Sequence, residues 1–266
     1  MKFDIVSDFH LDFNKSIFWE HIKKTNTLVV AGDHSNEFTR LTLKSLKMAK
    51  HVYDNVIFVD GNHEWYYMNK KMEDGYAYMA EQLDKIGVIF LNGSSVVFDD
   101  TMFVGANGWY DLKAVGTLEK NIEIFKRESN DYSHIWLKNS HRNPIIESIN
   151  DMFEIKSLVE SAQNDDTIKK IVVITHTAPR IELVGIPGVT FDEFDSAYVN
   201  TNMSCVVDAD ANKKISCWCY GHTHIRKDKT IDGIRYINNS RGYRDNGTWN
   251  MIEVNTEDDY YSIFKN

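Results

Sequence analysis

Five short polar motifs in this chain carry side chains able to hold a metal ion: Asp8-Phe9-His10, Gly32-Asp33, Gly61-Asn62-His63-Glu64, His176 and Gly221-His222-Thr223-His224. Asp, Asn and His form the donor set of divalent ions of intermediate hardness. One Asp-x-His or His-x-His pair alone means little, because a lone histidine is more often a surface or satisfied core residue. Here each motif follows an apolar run of strand length: Phe3 to Val6, Leu28 to Ala31, Val56 to Val59, Val172 to Thr175 and Ile215 to Tyr220. In open α/β sheets ligands bind beyond the carboxyl ends of the strands, so motifs at equivalent ends converge on one place. The Gly residues before Asp33, Asn62 and His222 permit tight strand-to-loop turns and close backbone approach.

The elements that must position these groups are legible from period and turn chemistry. Lys2 to Val6, Thr27 to Ala31 and Val56 to Val59 read as strands, with helical character at Phe18 to Lys24 and Phe38 to Lys50. Tyr76, Met79, Ala80 and Leu83 fall at i, i+3, i+4 and i+7, the stripe of an amphipathic helix. Val/Ile/Phe strands without strict alternation imply a sheet buried on both faces, and the βαβαβ order implies right-handed parallel crossovers. Between Val88 and Gly105 three strand-like runs are separated by Asn92-Gly93 and Asp99-Asp100, pairs that mark hairpins. From about 109 to 166 the chain is polar, rich in aromatics and mostly helical, with Ile155, Leu158, Val159 and Ala162 as another stripe. This stretch is expected to be a helical insertion, or cap, within a single domain spanning 1–266. Strands resume at Ile171 to Thr175, Ile215 to Tyr220, Arg235 to Asn238, Trp249 to Val254 and Tyr260 to Phe264.

The formal net charge of −9 argues against a broad grip on extended duplex DNA, which needs a basic surface. A small nucleotide or a single strand led to a metal site remains compatible with it. Asp4 and Asp8 interrupt the N-terminus where an apolar signal core would lie. No apolar run approaches a membrane span, so a cytoplasmic protein without membrane association is the expectation. Three Cys residues make no disulfide framework. Cys217 and Cys219 flank Trp218 and so share a strand face, where a buried apolar role is favoured over zinc. Oligomeric state is silent in the sequence.

The order Asp-x-His, Gly-Asp, Gly-Asn-His-Glu, His, Gly-His-x-His resembles the calcineurin-like metallophosphoesterase superfamily, from Asp8 to His224. The tail Asn239-Ser240-Arg241-Gly242-Tyr243 resembles a segment common in small bacterial and phage members. The resemblance implies an α/β fold of two mixed β-sheets packed face to face and flanked by helices. It implies two divalent metal ions, Mn²⁺ first, with Fe²⁺, Zn²⁺ or Ni²⁺ also accepted by these ligands. By position, Asp8, His10 and His224 would hold the first ion, Asn62, His176 and His222 the second, and Asp33 would bridge them. The implied chemistry is in-line hydrolysis of a phosphate ester by a hydroxide held between the ions, with His63 as general acid toward the leaving group.

The chain departs from the protein Ser/Thr phosphatases of that superfamily, in which Gly-Asp precedes an Asp-Arg-Gly run. Here the run is Gly32-Asp33-His34-Ser35-Asn36, and Asn36 stands where a partner for the catalytic histidine belongs. Asn orients an imidazole by hydrogen bonding but cannot stabilise imidazolium as a carboxylate does, which speaks against phosphoprotein substrates. His34, Arg180 and Arg241 are candidate substrate-binding residues, the arginines as bidentate phosphate partners. Trp109, Tyr110, Tyr132 and Trp136 suit either base stacking or, by preference, the core of a cap. A hydrolase of nucleotide-type phosphodiesters or monoesters is therefore expected. A nuclease on single-stranded or structured nucleic acid is the alternative, and a metal-binding interaction scaffold a more distant one.

Overall fold

Strands apolar on both faces need cover on both sides, and here two sheets and two helical layers supply it. The computed structural model describes residues 1–14, 18–38, 40–139, 142–186, 188–244 and 249–257. The chain begins with β1 (Lys2–Val6), α1 (Trp19–Ile22), β2 (Thr27–Ala31), α2 (Arg40–Val52), β3 (Asn55–Val59), α3 (Met72–Asp84) and β4 (Ile89–Phe90). There follow β5 (Ser94–Phe98), β6 (Thr101–Gly105), α4 (Leu118–Glu128), α5 (Pro144–Gln163) and β7 (Lys170–Ile174). The last elements are α6 (Ser204–Asp208), β8 (Ile215–Tyr220), β9 (Lys227–Ile231), β10 (Ile234–Asn238) and β11 (Ile252–Asn255).

One sheet has the order β11-β1-β2-β3-β4 and the other β5-β6-β7-β8-β10-β9. Strands β1 to β4 are parallel, with β11 antiparallel at the edge. In the second sheet β6, β7, β8 and β10 are parallel, and antiparallel β5 and β9 form the edges. Side chains alternate between two cores, as a pleated strand requires. Phe3, Ile5, Val29, Ala31, Ile57 and Val59 meet Phe103, Val172, Ile174, Cys217, Cys219 and Ile237 between the sheets. The opposite faces pack on helices: Leu28, Val30 and Phe58 on Leu46, Met72 and Leu83, and Met102, Val173 and Trp218 on Met152, Ile155 and Val159. The fold class implied by the sequence is the observed one.

Three local readings change. Asn92-Gly93 is no hairpin, because β4 pairs with β3 in one sheet and β5 with β6 in the other, so this turn carries the chain between sheets. Asp99-Asp100 does close the β5–β6 hairpin. The charged edge strand β9, absent from the sequence reading, pairs with β10 around Asp232-Gly233. The stretch from 109 to 166 lies in the connection between parallel strands β6 and β7. Its second helix, α5, packs on the second sheet through Met152, Ile155, Val159 and Ala162. The part that leans toward the strand ends is therefore shorter, running through α4 and the following turn. Trp109, Tyr110 and Trp136 are buried there as core. The run expected as a strand at Tyr260 to Phe264 lies outside the described residues. Among those described, no helix is long and apolar enough to cross a membrane.

Candidate metal centre

Each motif leaves the carboxyl end of a strand and turns at once. Asp8, His10, Asp33, His222 and His224 all adopt positive φ, between 42° and 64°. A non-glycine residue in this region costs of order 1–3 kcal/mol and persists only where surrounding structure fixes it. Asp and His tolerate it better than branched residues. Backbone bonds hold the turns together: Asp8 N–H donates to Gly32 O at 3.0 Å, His10 N–H to Asp33 O at 3.1 Å, and Gly221 N–H to His176 O at 2.8 Å. Gly61 is required by close approach, since a Cβ there would lie 2.2 Å from Asp33 Oδ1.

The turns bring all seven expected ligands together around Asp33. Donor atoms of Asp8, His10, Asp33 and His224 lie within 4.8 Å of one another, and so do those of Asp33, His176 and His222. Asn62 joins the second group, its Oδ1 lying 3.1 Å from His176 Nε2. Asp33 belongs to both groups, with Oδ2 3.8 Å from His10 Nε2 and 3.3 Å from His176 Nε2. His10 Nε2 and His224 Nε2 converge at 2.9 Å, and His224 Nε2 is 3.3 Å from Asp8 Oδ1.

Outer partners fix which atom each residue presents. His176 Nδ1 donates to Ala31 O at 2.9 Å, which leaves Nε2 for the centre. His222 Nε2 donates to Ala197 O at 3.1 Å, which leaves Nδ1. Asn62 Nδ2 donates to Asp131 Oδ1 at 2.8 Å, turning the amide oxygen inward. Asp8 Oδ2 accepts from Ser240 Oγ at 2.9 Å, and Asp8 Oδ1 from His222 N–H at 2.9 Å. Such partners orient ligands and tune their basicity.

The electrostatics call for cations. Burial works against charge on Asp33, yet His176 and His63 hold its carboxyl well below the usual range. Asp8 is likewise lowered by His224 against its burial. Burial opposes charge on His176 too, but Asp33 and Asp8 raise it to about 10. His10 and His222, pressed by burial, fall to about 3 and about 4. The cluster thus takes up protons to balance its carboxylates, and a divalent ion would displace them. Donor types, convergence and outer partners all fit the two-ion set.

His63 is a neighbour of the centre rather than part of either group. Its Nδ1 lies 2.5 Å from Asn36 Oδ1, and its Nε2 2.9 Å from the Tyr243 hydroxyl. Since Asn36 Oδ1 only accepts, Nδ1 carries the proton of that bond. A cleft of about 350 Å³ opens over Asp33, Asn62, His63, His222 and His224. Tyr66, Phe194, Tyr198 and Tyr243 form much of its wall, and Glu128 is on its rim. Among the described residues, no Lys or Arg lines it.

Three expected substrate-binding residues are elsewhere. His34 is fully buried, stacked on Trp19 and Phe9 with interplanar angles of 6° and 29°. Burial, then Arg241, lowers it to about 3, and the ring packs beneath the centre outside the cleft. Arg180 binds Asp232 at 2.9 Å and Glu182 at 3.1 Å, outside the cleft. Arg241 places its guanidinium 5.8 Å over the Phe9 ring, also outside the cleft.

Other residues of the site escape a reading by motif. Glu64, buried, accepts the backbone N–H groups of Asp33, His34 and Gly61 at 2.7 to 2.9 Å and so clamps two turns together. Its place in Gly-Asn-His-Glu was the available signal. Asp131 also accepts the hydroxyls of Tyr66 and Tyr110, at 2.5 and 2.9 Å, and nothing in its local sequence announces it.

Residues 1–226 match the family described as calcineurin-like phosphoesterase. The chain is 26% identical over 262 residues to an uncharacterized protein of Acanthamoeba polyphaga mimivirus, with 90% of each chain covered. Among solved structures it is similar to a phosphopantetheinyl hydrolase from Mycobacterium tuberculosis, at a TM-score of 0.73 and 19% identity over 95% of each chain. At that identity the likeness shows the fold alone.

Two substitutions test the geometry. Gly61→Ala should displace Asp33 and weaken Mn²⁺ binding at both sites in a protein that still folds; unchanged affinity by calorimetric titration would rule out the close approach as a requirement. Asp131→Ala should weaken one of the two sites by about 10–100-fold, the usual cost of losing an outer partner. Equal weakening of both sites would mean that Asp131 supports the fold and not Asn62 in particular.

Proposed function

The chain belongs to the calcineurin-like phosphoesterase family and is a metal-dependent phosphoester hydrolase, and from that premise we propose that it acts on small phosphodiesters or monoesters with a single phosphoryl group, nucleotide-type esters included. The observation that carries this reading is the pair of donor groups sharing Asp33. In the proposed assignment Asp8, His10 and His224 hold one ion, Asn62, His176 and His222 the other, and Asp33 both, with Mn²⁺ the first ion to test. Two divalent ions there would neutralise charge on the phosphoryl oxygens and lower the pKa of water.

The chain's own groups do the rest. In this role His63 would pass a proton taken up at Nε2 to the departing oxygen, while Asn36 fixes the ring through Nδ1. The Tyr243 hydroxyl, 2.9 Å from Nε2, marks where that oxygen would sit. Tyr66, Phe194 and Tyr198 line the cleft where the organic part of the ester, such as a base, would sit. The lack of Lys and Arg among the described lining residues bears on substrate charge. A strand of nucleic acid needs cations along its path, so the nuclease reading loses support, as does hydrolysis of polyphosphates. The complete donor set speaks against a scaffold.

The role of His63 is separable from that of the metals. General acid catalysis is typically worth about 10²–10⁴-fold and matters most for poor leaving groups. His63→Ala should retain its metal content, lose most activity on an alkyl or ribosyl ester and lose clearly less on a nitrophenyl ester. The measurement is the wild-type to variant rate ratio for each ester under single-turnover conditions. Equal ratios with metals retained would move the acid role away from His63.

A further inference from the structure

A second cleft, of about 200 Å³, adjoins the first and shares Tyr198 and Thr223 with it. Thr223 lies between His222 and His224, so the two clefts meet beside the metal centre. The chemistry of the second cleft differs from that of the first. Val184, Ile186, Val189, Phe191 and Ile225 line it, and Ile186, Val189 and Phe191 are 55%, 63% and 39% exposed. Its single charged lining residue, Asp195, is engaged in its own turn, with Oδ2 accepting the Asp192 N–H at 2.9 Å. The nearby cation, Lys227, donates to Gly185 O at 2.8 Å and so ties down the loop instead of facing the cleft. The Phe191 ring lies so close over Gly185 that a Cβ there would meet it at 2.6 Å. Val184, Ile186, Val189 and Phe191 thus form an apolar wall held in place at its base.

Apolar side chains left half open beside a polar centre gain by burial against an apolar group. A monoester has one organic group to place, whereas a diester has two. Two clefts of unlike chemistry that share Tyr198 and Thr223 fit a molecule branching at phosphorus. We propose that the cleft walled by Val184, Ile186, Val189 and Phe191 is an ester-group subsite, and that the substrate is a phosphodiester with one uncharged, predominantly apolar arm seated there. The other ester group occupies the tyrosine-walled cleft. This assignment rests on the phosphoesterase reading above and narrows it from esters in general to diesters.

The test is a homologous series of nitrophenyl alkyl phosphates, methyl through octyl, with the Mn²⁺-loaded protein. In each reaction the P–O bond to the aryl group breaks, water supplies the new oxygen on phosphorus, and nitrophenol and the alkyl phosphate are released. Burial of each methylene should raise kcat/KM about two- to fourfold until the cleft is full. Val189→Asp, which charges an exposed wall position, should flatten the rise with chain length, and Ile186→Asp at a second exposed position should do the same. Each enzyme is read by its own octyl-to-methyl ratio, so a general loss of activity does not imitate the effect. A flat wild-type series, or a slope unchanged in both variants, overturns the subsite while leaving the phosphoesterase reading intact. Failure to hydrolyse any ester by the metal-loaded wild type overturns both.

Discussion

Burial of the Asp33 carboxylate is the constraint around which the strand ends are organised. An ionised carboxylate taken out of water is costly unless paired and hydrogen-bonded. Histidines from three other turns surround it, and His176, which the carboxylates keep protonated, is the closest at 3.3 Å. The His63 N–H also donates to Asp33 Oδ1 at 2.9 Å, and Glu64 accepts the Asp33 N–H at 2.9 Å. One negative group thereby ties the turn after β2 to those after β1, β3 and β7. The positive-φ residues make sense in this setting, because local strain is tolerated where several elements over-determine the same turn.

The two-sheet architecture explains how so many donors reach one point. Sheet one delivers Asp8, His10, Asp33 and Asn62 from adjacent parallel strands, and sheet two delivers His176, His222 and His224. Packing between the sheets through Ile5, Ala31, Val59, Ile174 and Cys219 sets the two rows of strand ends face to face. The connection from β6 to β7 adds Asp131 and, through it, the orientation of Asn62. The segment expected as a cap therefore also supports a ligand.

What was legible in the sequence follows from the range of the interactions involved. Each ligand motif follows an apolar run directly, so strand, turn and donor lie within a few residues. Cys217 and Cys219 were placed by the same local rule and are indeed buried between the sheets. His34 lies outside the cleft because adjacency to Asp33 does not fix side-chain direction. Asp33 turns the chain at φ 55°, and the next ring goes under the centre onto Trp19. Arg180 is drawn away from the cleft by Asp232, which sits in a hairpin whose charged strand β9 gives no apolar signal in the sequence. Asp131 and Tyr243 reach the site only through tertiary packing, 69 residues from Asn62 and 180 from His63, beyond any spacing rule.

The central claim is that one carboxylate is common to two metal ions. Electron paramagnetic resonance of the protein loaded stepwise with Mn²⁺ addresses it directly, because ions bridged by a shared ligand are magnetically coupled and distant ones are not. Binding should saturate at two ions per chain, with the spectrum of a coupled pair that gives way to isolated ions when Asp33 is replaced by Ala. Saturation at one ion, or two ions with the spectrum of uncoupled Mn²⁺ in the unmodified protein, would contradict the shared-carboxylate account.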